Sequence, residues 1–539
     1  MYLLENPVLQ RELLVNLRMF RAFALLFAYV GLLGVVVYVA WPSQQRLDLT
    51  SSKEAEQLVN LFFLGQYILM SLMAPSFAGG AITGEKERRT YEMLLASPMR
   101  PGAIVLGKLL ASLCHLAVLV FSSLPIVMLC LPLGGVSPWE VLATYVAMAA
   151  SVVAFGMICV AASSYFTRTA AALVVSYLII LPMAMFGILF YRLSAETAWF
   201  RLWMLAGVCP AACFALCAAL FTSTSRRLMH PPDVGAEAQD VVDPDMEQRE
   251  AVGMVIRSDQ FPDMLFAPPK RVDFMADGAN PVYDKEMRSE LFGQGTLMLR
   301  LVVQLSMFLA LPLMAVCLYM WPQWAPWYTG YVLLFNMLVG PVFSAGSITS
   351  ERERQTLELL LTTTLSPWQI LWGKLVASLR ISTVLTSFLV FPLLLAWLLP
   401  LWTYWDDTRT MLGYLGIIAM ACLTTTVLPM FCSVIFRKTS VAMMTAYLAL
   451  ILLFAMPLAV ELFAKMFFPA APATAWITES TFTSPFAAAF ALPLGVGDPP
   501  RPAHWLVFFT FLSFYAMVNA TLLWAILWLF NVRWRVRSS

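Results

Sequence analysis

The chain has 539 residues, of which 60% are hydrophobic and 12% charged, with a formal net charge of +2. Soluble globular proteins carry about 25% charged residues, so a soluble fold is excluded. The near-zero net charge says little as a total, and only its distribution along the chain is informative.

In chain order, apolar runs of membrane length predict twelve spans. The first six lie at about 22–41, 57–82, 104–132, 139–165, 170–191 and 200–222, and the second six at about 296–321, 327–348, 370–401, 409–436, 440–467 and 504–531. With the N-terminus inside, only seven of the 34 Lys and Arg residues fall on the outer side: Arg46, Lys53, Arg192, Arg201, Arg409, Lys465 and Arg501. This asymmetry is the positive-inside bias. It places both termini in the cytoplasm, in keeping with the closing Arg533, Arg535 and Arg537. Residues 1–21 contain Glu5 and Glu12 and lack the apolar core of a signal peptide.

Each set of spans opens alike, with Asn6-Pro7-Val8 before Arg11-Glu12 and Asn280-Pro281-Val282 before Lys285-Glu286. Asn is a good helix cap and Pro suits the first helical position, so each segment predicts an amphipathic helix in the inner interface. The sequence therefore divides into a first six-span module at 1–222, an acidic cytoplasmic linker at 223–279 and a second module at 280–539. The linker carries 11 acidic and six basic residues and no long apolar run, with one short candidate patch near Phe261–Phe266. A proline-rich outer loop at about 468–503 has no counterpart of similar length in the first module.

Residues 82–113 (ITGEKERRTYEMLLASPMRPGAIVLGKLLASL) recur as residues 348–379 (ITSERERQTLELLLTTTLSPWQILWGKLVASL), identical at 17 of 32 positions without a gap. Chain duplication explains the match. Both copies lie between spans on the cytoplasmic side. Ser350 and Glu353 have the spacing of a capping box, with Gly84 and Glu87 at the matching places. Glu85 and Glu351 suit the positive end of a helix. Tyr91, Leu94 and Leu95 form an apolar stripe, matched by Leu357, Leu360 and Leu361, before Pro101 and Pro367 start the next span. The pattern predicts one short, capped surface helix per copy, offered to a cytoplasmic partner. Lys108 and Lys374, two turns into the following span, are expected to anchor the cytoplasmic face by snorkelling to headgroups.

The string E-[KR]-E-R-x-T-x-E-x-L-L followed by G-K-L resembles the hallmark of ABC-2 type transporter permeases, as does the Asn-Pro-Val opening. The resemblance covers nearly the whole chain. It implies an all-α polytopic membrane protein of about twelve transmembrane helices, built as two repeated six-helix bundles with interfacial amphipathic and coupling helices. It implies ATPase-docking roles for Glu85, Glu87, Arg88, Thr90 and Glu92 and for Glu351, Glu353, Arg354, Thr356 and Glu358. The implied partners are cytoplasmic ATP-binding subunits, expected as two copies. ATP and Mg would belong to them, with no cofactor on this chain, and a single chain would form the whole pathway.

No G-x-x-x-x-G-K-[ST] phosphate loop occurs, nor any HExxH or GxSxG motif, so the chain is not expected to be an enzyme. Nothing points to nucleic acid. Cys209, Cys213 and Cys217 share a helix face and read as packing residues, without the flanking of a metal site. His115 reads likewise as packing and His230 falls in the linker. Arg300 and Arg380 lie within spans, Arg380 facing the bundle interior or snorkelling inward. Asn60, Gln66, Gln304, Asn336 and Asn519 either line a cavity or hold helices together by hydrogen bonds. The expected function is the permease subunit of an ATP-driven exporter in the inner membrane. Two rival readings are an ATPase-driven membrane scaffold and an ion-coupled secondary transporter; substrate is not legible.

Overall fold

Isolated positions apart, the computed structural model describes residues 7–17, 53–87, 90–130, 137–166, 169–193, 198–229, 280–288, 310–320, 324–353, 355–398, 407–437, 439–467, 472–492 and 504–534. The predicted first span, the Phe261–Phe266 patch and Arg88, His230, Arg300, Gln304 and Arg354 lie outside these residues, as does the side chain of His115. Among the described residues every regular element is helical. The chain divides into two compact units, Met1–Val242 and Asp243–Ser539.

The first unit runs through α1 (Pro7–Leu17), α2 (Lys53–Ala78), the short α3 (Thr83–Glu87) and α4 (Tyr91–Leu95), then α5 (Pro101–Cys130), α6 (Pro138–Tyr165) and α7 (Thr169–Leu193). Its last helix, α8, comprises Ala198–Trp203, a π-helical turn Met204–Val208, and Cys209–Met229. The second unit begins with α9 (Pro281–Arg288) and a π-helical stretch Ala315–Met320. It continues with α10 (Ala325–Ser344), the short α11 (Thr349–Glu353) and α12 (Leu357–Leu361), then α13 (Pro367–Leu398) and α14 (Thr408–Ile435). Then come α15 (Thr439–Leu450 and Met456–Phe467 around a π-helical turn Ile451–Ala455), α16 (Pro472–Ser480), α17 (Pro485–Phe490) and α18 (Trp505–Trp534). Ten of the twelve predicted spans fall on long helices: α2, α5 to α8, α10, α13 to α15 and α18. Among the described residues seven helices are long and apolar enough to cross a membrane, or eight if the bent pair Pro101–Cys114 and Leu116–Pro125 counts as one. The chain is a multi-pass membrane protein.

Each unit packs around one central helix made of small and hydroxyl residues, the composition that lets helix backbones approach closely where lipid offers no hydrophobic drive. In the first unit this is α6, which buries Ala143, Ala147, Ser151, Ala154, Gly156, Ala161 and Ser163. A Cβ on Gly156 would stand 2.6 Å from a methyl of Leu113 on α5. In the second unit it is α14, which buries Gly413, Ala421 and Thr424 to Thr426. The polar side chains within these bundles pair across helices. Asn60 accepts from the Tyr191 hydroxyl at 2.9 Å, Gln66 donates to Ser123 at 2.7 Å, Thr425 donates to Asn336 at 2.9 Å, and Asn519 donates to Thr424 at 2.9 Å. The prolines at 75, 125, 182, 341, 392 and 429 sit inside helices without ending them.

The proline-rich segment predicted as a loop is more ordered over residues 472–492 than its sequence suggests, because it folds into α16 and α17. Ser484 caps α17 and donates to the carbonyl of Phe454 at 2.5 Å, in the π-helical turn of α15, while the Thr483 carbonyl accepts from Tyr515 at 2.6 Å. Pro485 and Ala487 to Ala489 are buried.

The close crossing of α10 and α14 gives a stability test. A Cβ on Gly340 would lie 2.8 Å from the Thr425 side chain and 2.9 Å from its carbonyl oxygen, whereas nothing approaches one on Gly65. Gly340→Ala is expected to lose about 1–3 kcal/mol through overpacking, measured as a lower unfolding temperature in detergent. Gly65→Ala on α2 is expected to be neutral or slightly stabilising.

Candidate functional site: two elbows, each closed on a buried lysine

Between α2 and α5, and again between α10 and α13, the duplicated motif folds into an elbow of two five-residue helices rather than the single surface helix that the sequence predicts. The backbone reason is visible in the second copy, where Gln355 takes a left-handed conformation with φ of 58° and breaks the helix. The expected capping box does not form either, because the Glu353 carboxylate turns away from Ser350.

The entry to each elbow is held from behind. Ser163, near the end of α6, accepts from the backbone N–H of Ile82 at 2.9 Å and of Thr83 at 2.8 Å. Ser433, near the end of α14, does the same for Ile348 and Thr349, each at 3.0 Å. Thr83 pairs with Thr169 and Thr349 with Thr439, both at 3.0 Å, which ties the elbow to the start of the next helix. The second position of the motif returns the favour to the carbonyl end of the same helix. Lys86 donates to the carbonyls of Ser164 at 2.7 Å and Phe166 at 2.8 Å. Arg352 donates to those of Val434 at 2.8 Å and Phe436 at 2.7 Å. The third position, Glu87 or Glu353, accepts the backbone N–H of Thr169 at 2.7 Å or of Thr439 at 2.9 Å. Helix ends leave four N–H and four C=O groups without partners, and the elbow supplies partners at two such ends.

The core of each elbow is an ion cluster. Lys108, on α5, lies 2.7 Å from Glu12 of α1 and 2.9 Å from Glu85 of the elbow. Lys374, on α13, lies 2.5 Å from Glu286 of α9 and 3.3 Å from Glu351, and Lys285 adds a second contact to Glu351 at 2.8 Å. Thr90 and Thr356 each donate their hydroxyl to the carboxylate of Glu85 and Glu351 respectively. The two lysines are only 5% and 3% exposed, so they do not snorkel outward: their ammonium groups turn back to carboxylates brought by two other elements. Burial acts to raise Glu85, but the Thr90 and Lys108 hydrogen bonds with the Lys108 and Arg11 charges outweigh it and hold the carboxyl below its usual range.

The glycine of G-K-L has its own reason. A Cβ on Gly373 would meet the Asn280 side chain and the Tyr283 backbone nitrogen at 3.0 Å, so glycine lets α9 lie this close to α13 without a shift of its cap. Asn280 caps α9 as its sequence predicts, accepting from Val282 at 3.0 Å, and also donates to the Gln369 carbonyl at 2.7 Å. Arg380 donates to the Tyr283 hydroxyl of α9 at 2.6 Å, a second tie between α9 and α13.

Of the residues singled out from the sequence, Glu85, Thr90, Glu351 and Thr356 therefore close the elbow on itself, and Glu87 and Glu353 fasten it to the next helix. Glu92 and Glu358 are exposed, beside Met93 at 75% and Leu359 at 69% exposure. Sequence reasoning missed Ser163, Thr169, Ser433 and Thr439. Their signal was a second repeat, Ser-x-x-Phe-x-x-Thr at 163–169 and 433–439.

A model of the ABC-2 family of transporter proteins matches residues 8–203 and 213–533. The chain belongs to this family. The match falls in two segments, consistent with tandem permease modules, and makes the ABC-2 protein the membrane component of an ABC transporter. No curated protein and no solved structure matches it.

Two measurements test the cluster of this ABC-2 protein. Lys108→Met removes the buried cation from Glu12 and Glu85 and is expected to cost about 3–5 kcal/mol, read as a fall in unfolding temperature in detergent; Lys374→Met leaves Lys285 on Glu351 and is expected to cost less. A carboxylate lowered by folding stabilises the fold above its unfolded value near 4.5, and the contribution fades as pH falls through the lower folded value. Thermal stability is thus expected to drop on acidification below about pH 4.5, with a smaller drop in Glu85→Gln, which has already lost that contribution.

Proposed function

We propose that the two elbows are the coupling elements on which two copies of a separate ATP-binding subunit dock, and that the chain is the permease of an ATP-driven exporter. ATP and Mg reside on those subunits. The elbow end faces the cytoplasm in the inner membrane, with twelve spans and both termini inside, in line with the distribution of Lys and Arg. One chain then supplies both halves of the pathway.

The observation that carries this reading is the division of labour within the motif. Its inward charges are consumed by the elbow and its neighbours, while Glu92 with Met93, and Glu358 with Leu359, are left exposed. Exposed large apolar side chains beside charge on a rigid projection suit a protein interface. Closure of an ATPase pair would bring the elbows along. Each elbow, tied to α1, α5, α6 and α7 or to α9, α13, α14 and α15, would pass that displacement to the bundle and switch the pathway between its two sides.

Arg88 and Arg354 complete the docking surface in this reading. Charge reversal at the exposed Glu92 and Glu358 (Glu92→Arg with Glu358→Arg) is expected to abolish co-purification of the ATPase while leaving the unfolding temperature of the permease near its original value, and Arg88→Glu with Arg354→Glu is expected to abolish co-purification likewise. Undiminished co-purification would overturn the docking role.

A further inference from the structure

The first unit holds a cationic corner at the elbow end that no carboxylate pairs with among the described residues. Arg227, in the last turn of α8, lies with its guanidinium carbon 3.9 Å from the ring centroid of Tyr165 at the end of α6. Its Nε is buried without a hydrogen-bond partner, and none of the ion pairs among the described residues includes it. Lys86 stands close by, 5.4 Å from the Tyr91 ring centroid, and its ammonium donates only to neutral carbonyls. Burial and the Arg227 charge together pull Lys86 down to about 8. Arg226, exposed, adds a third cation on the same turn as Arg227.

Two neighbouring cations with no ion pair to a carboxylate among the described residues call for an anion, and the surroundings say from which side it comes. The apolar stretch Met204–Leu228 of α8 has the length of a span, yet none of its apolar window is buried. Phe214 within that stretch is 75% exposed, Trp203 just before it 57%, and Tyr165 is itself 48% exposed. The arginine pair thus terminates a surface that acyl chains can cover. A guanidinium offers a fork of N–H donors matched to phosphate oxygens, and basic clusters at the end of a span suit anionic headgroups.

We propose that Arg227 on Tyr165, with Lys86 behind it and Arg226 outside it, binds the phosphate of an acidic phospholipid whose acyl chains lie along α8. This rests on the reading that the elbow end meets the inner membrane surface. The anion neutralises the repulsion between Lys86 and Arg227 and so steadies the elbow at its junction with α6.

The test is thermal unfolding of the purified full chain in neutral detergent, titrated with phosphatidylglycerol, phosphatidylcholine or inorganic phosphate. Phosphatidylglycerol is expected to raise the unfolding temperature saturably, and the other two to leave it unchanged. Arg227→Gln is expected to weaken the apparent affinity about tenfold, and Arg437→Gln, an exposed cation of the second unit, to leave it as it was. Should Arg227→Gln fail to fold, Arg226→Gln and Tyr165→Leu carry the same expectation of weaker binding. Equal saturation by phosphatidylglycerol in the original chain and these variants would overturn the site. An equal response to inorganic phosphate would reassign it to a free anion, and a corner occupied only when the ATPase is present would reassign it to an acidic protein segment. The measurement needs no ATPase, so its failure leaves the docking reading standing, and failed docking leaves the lipid site standing.

Discussion

A lysine ammonium removed from water loses several kcal/mol of hydration that only well-placed anions restore. In each half of this protein the restoration comes from two carboxylates on two other elements: Glu12 and Glu85 around Lys108, Glu286 and Glu351 around Lys374. A surface helix, an elbow and a long apolar helix are thereby joined at one point. None of the three can move away alone without stranding a buried charge. A surface ion pair would give way at small cost; a lysine with 3–5% of its surface exposed does not. The rest of the elbow's geometry follows from this constraint, including the glycine that lets α9 reach α13 and the threonine hydroxyl that fills the remaining acceptor of each central glutamate.

The elbow is also where helix ends meet, and their unpaired backbone groups are the second source of rigidity. The hydroxyls of Ser163 and Ser433 take two N–H groups each from the elbow entry. Lys86 and Arg352 occupy the carbonyl ends of α6 and α14, and Glu87 and Glu353 the N–H ends of α7 and α15. The same α6 and α14 are the central helices of their units. An elbow fastened to the most buried helix of a bundle transmits displacement to all that packs on that helix. One fastened to a peripheral helix would tilt that helix alone.

The membrane class and the recurring 32-residue motif were legible because both are long-range statistical signals: apolar runs and a sequence match survive without knowledge of any contact. The direction of the charged side chains was not. Glu-basic-Glu-Arg reads as a solvated helix end when only its own neighbours are considered, and the capping-box spacing of Ser350 and Glu353 strengthens that impression. What overrides it is tertiary: the backbone N–H of Thr439 competes for the Glu353 carboxylate and wins, and Gln355 breaks the helix that the periodicity implies. Lys374 looked like a snorkelling residue because its partner Glu286 lies 88 positions earlier. The Asn280 cap, by contrast, is local and was readable. The proline-rich segment at 468–503 read as a loop because six- to nine-residue helices carry too little periodicity to stand out among prolines.

Comparison of the two elbows and their neighbours shows which features they share and which they do not. Aligned on Asn-Pro-Val and on G-K-L, Tyr283 and Arg380 of the second half occupy the places of Leu9 and Cys114 in the first. The polar pair that fixes α9 to α13 has become two apolar residues together, as expected if either substitution alone would leave a polar group without its partner. Lys86 has become Arg352, keeping the positive charge at the helix carbonyls. The connection between the last two long helices differs more: in the second half it carries α16 and α17, and in the first it is four residues long, from Leu193 to Ala198. The central lysine, its two carboxylates, the threonine and the serine behind the elbow are the same in both halves. These are the positions where a single replacement strands a buried charge or an orphaned backbone group, so divergence that retained a folded elbow had to run around them. The exposed Glu92 and Glu358 carry no such folding constraint, since neither is buried. What the two positions share is the first turn of a short helix, where a carboxylate meets the positive helix end.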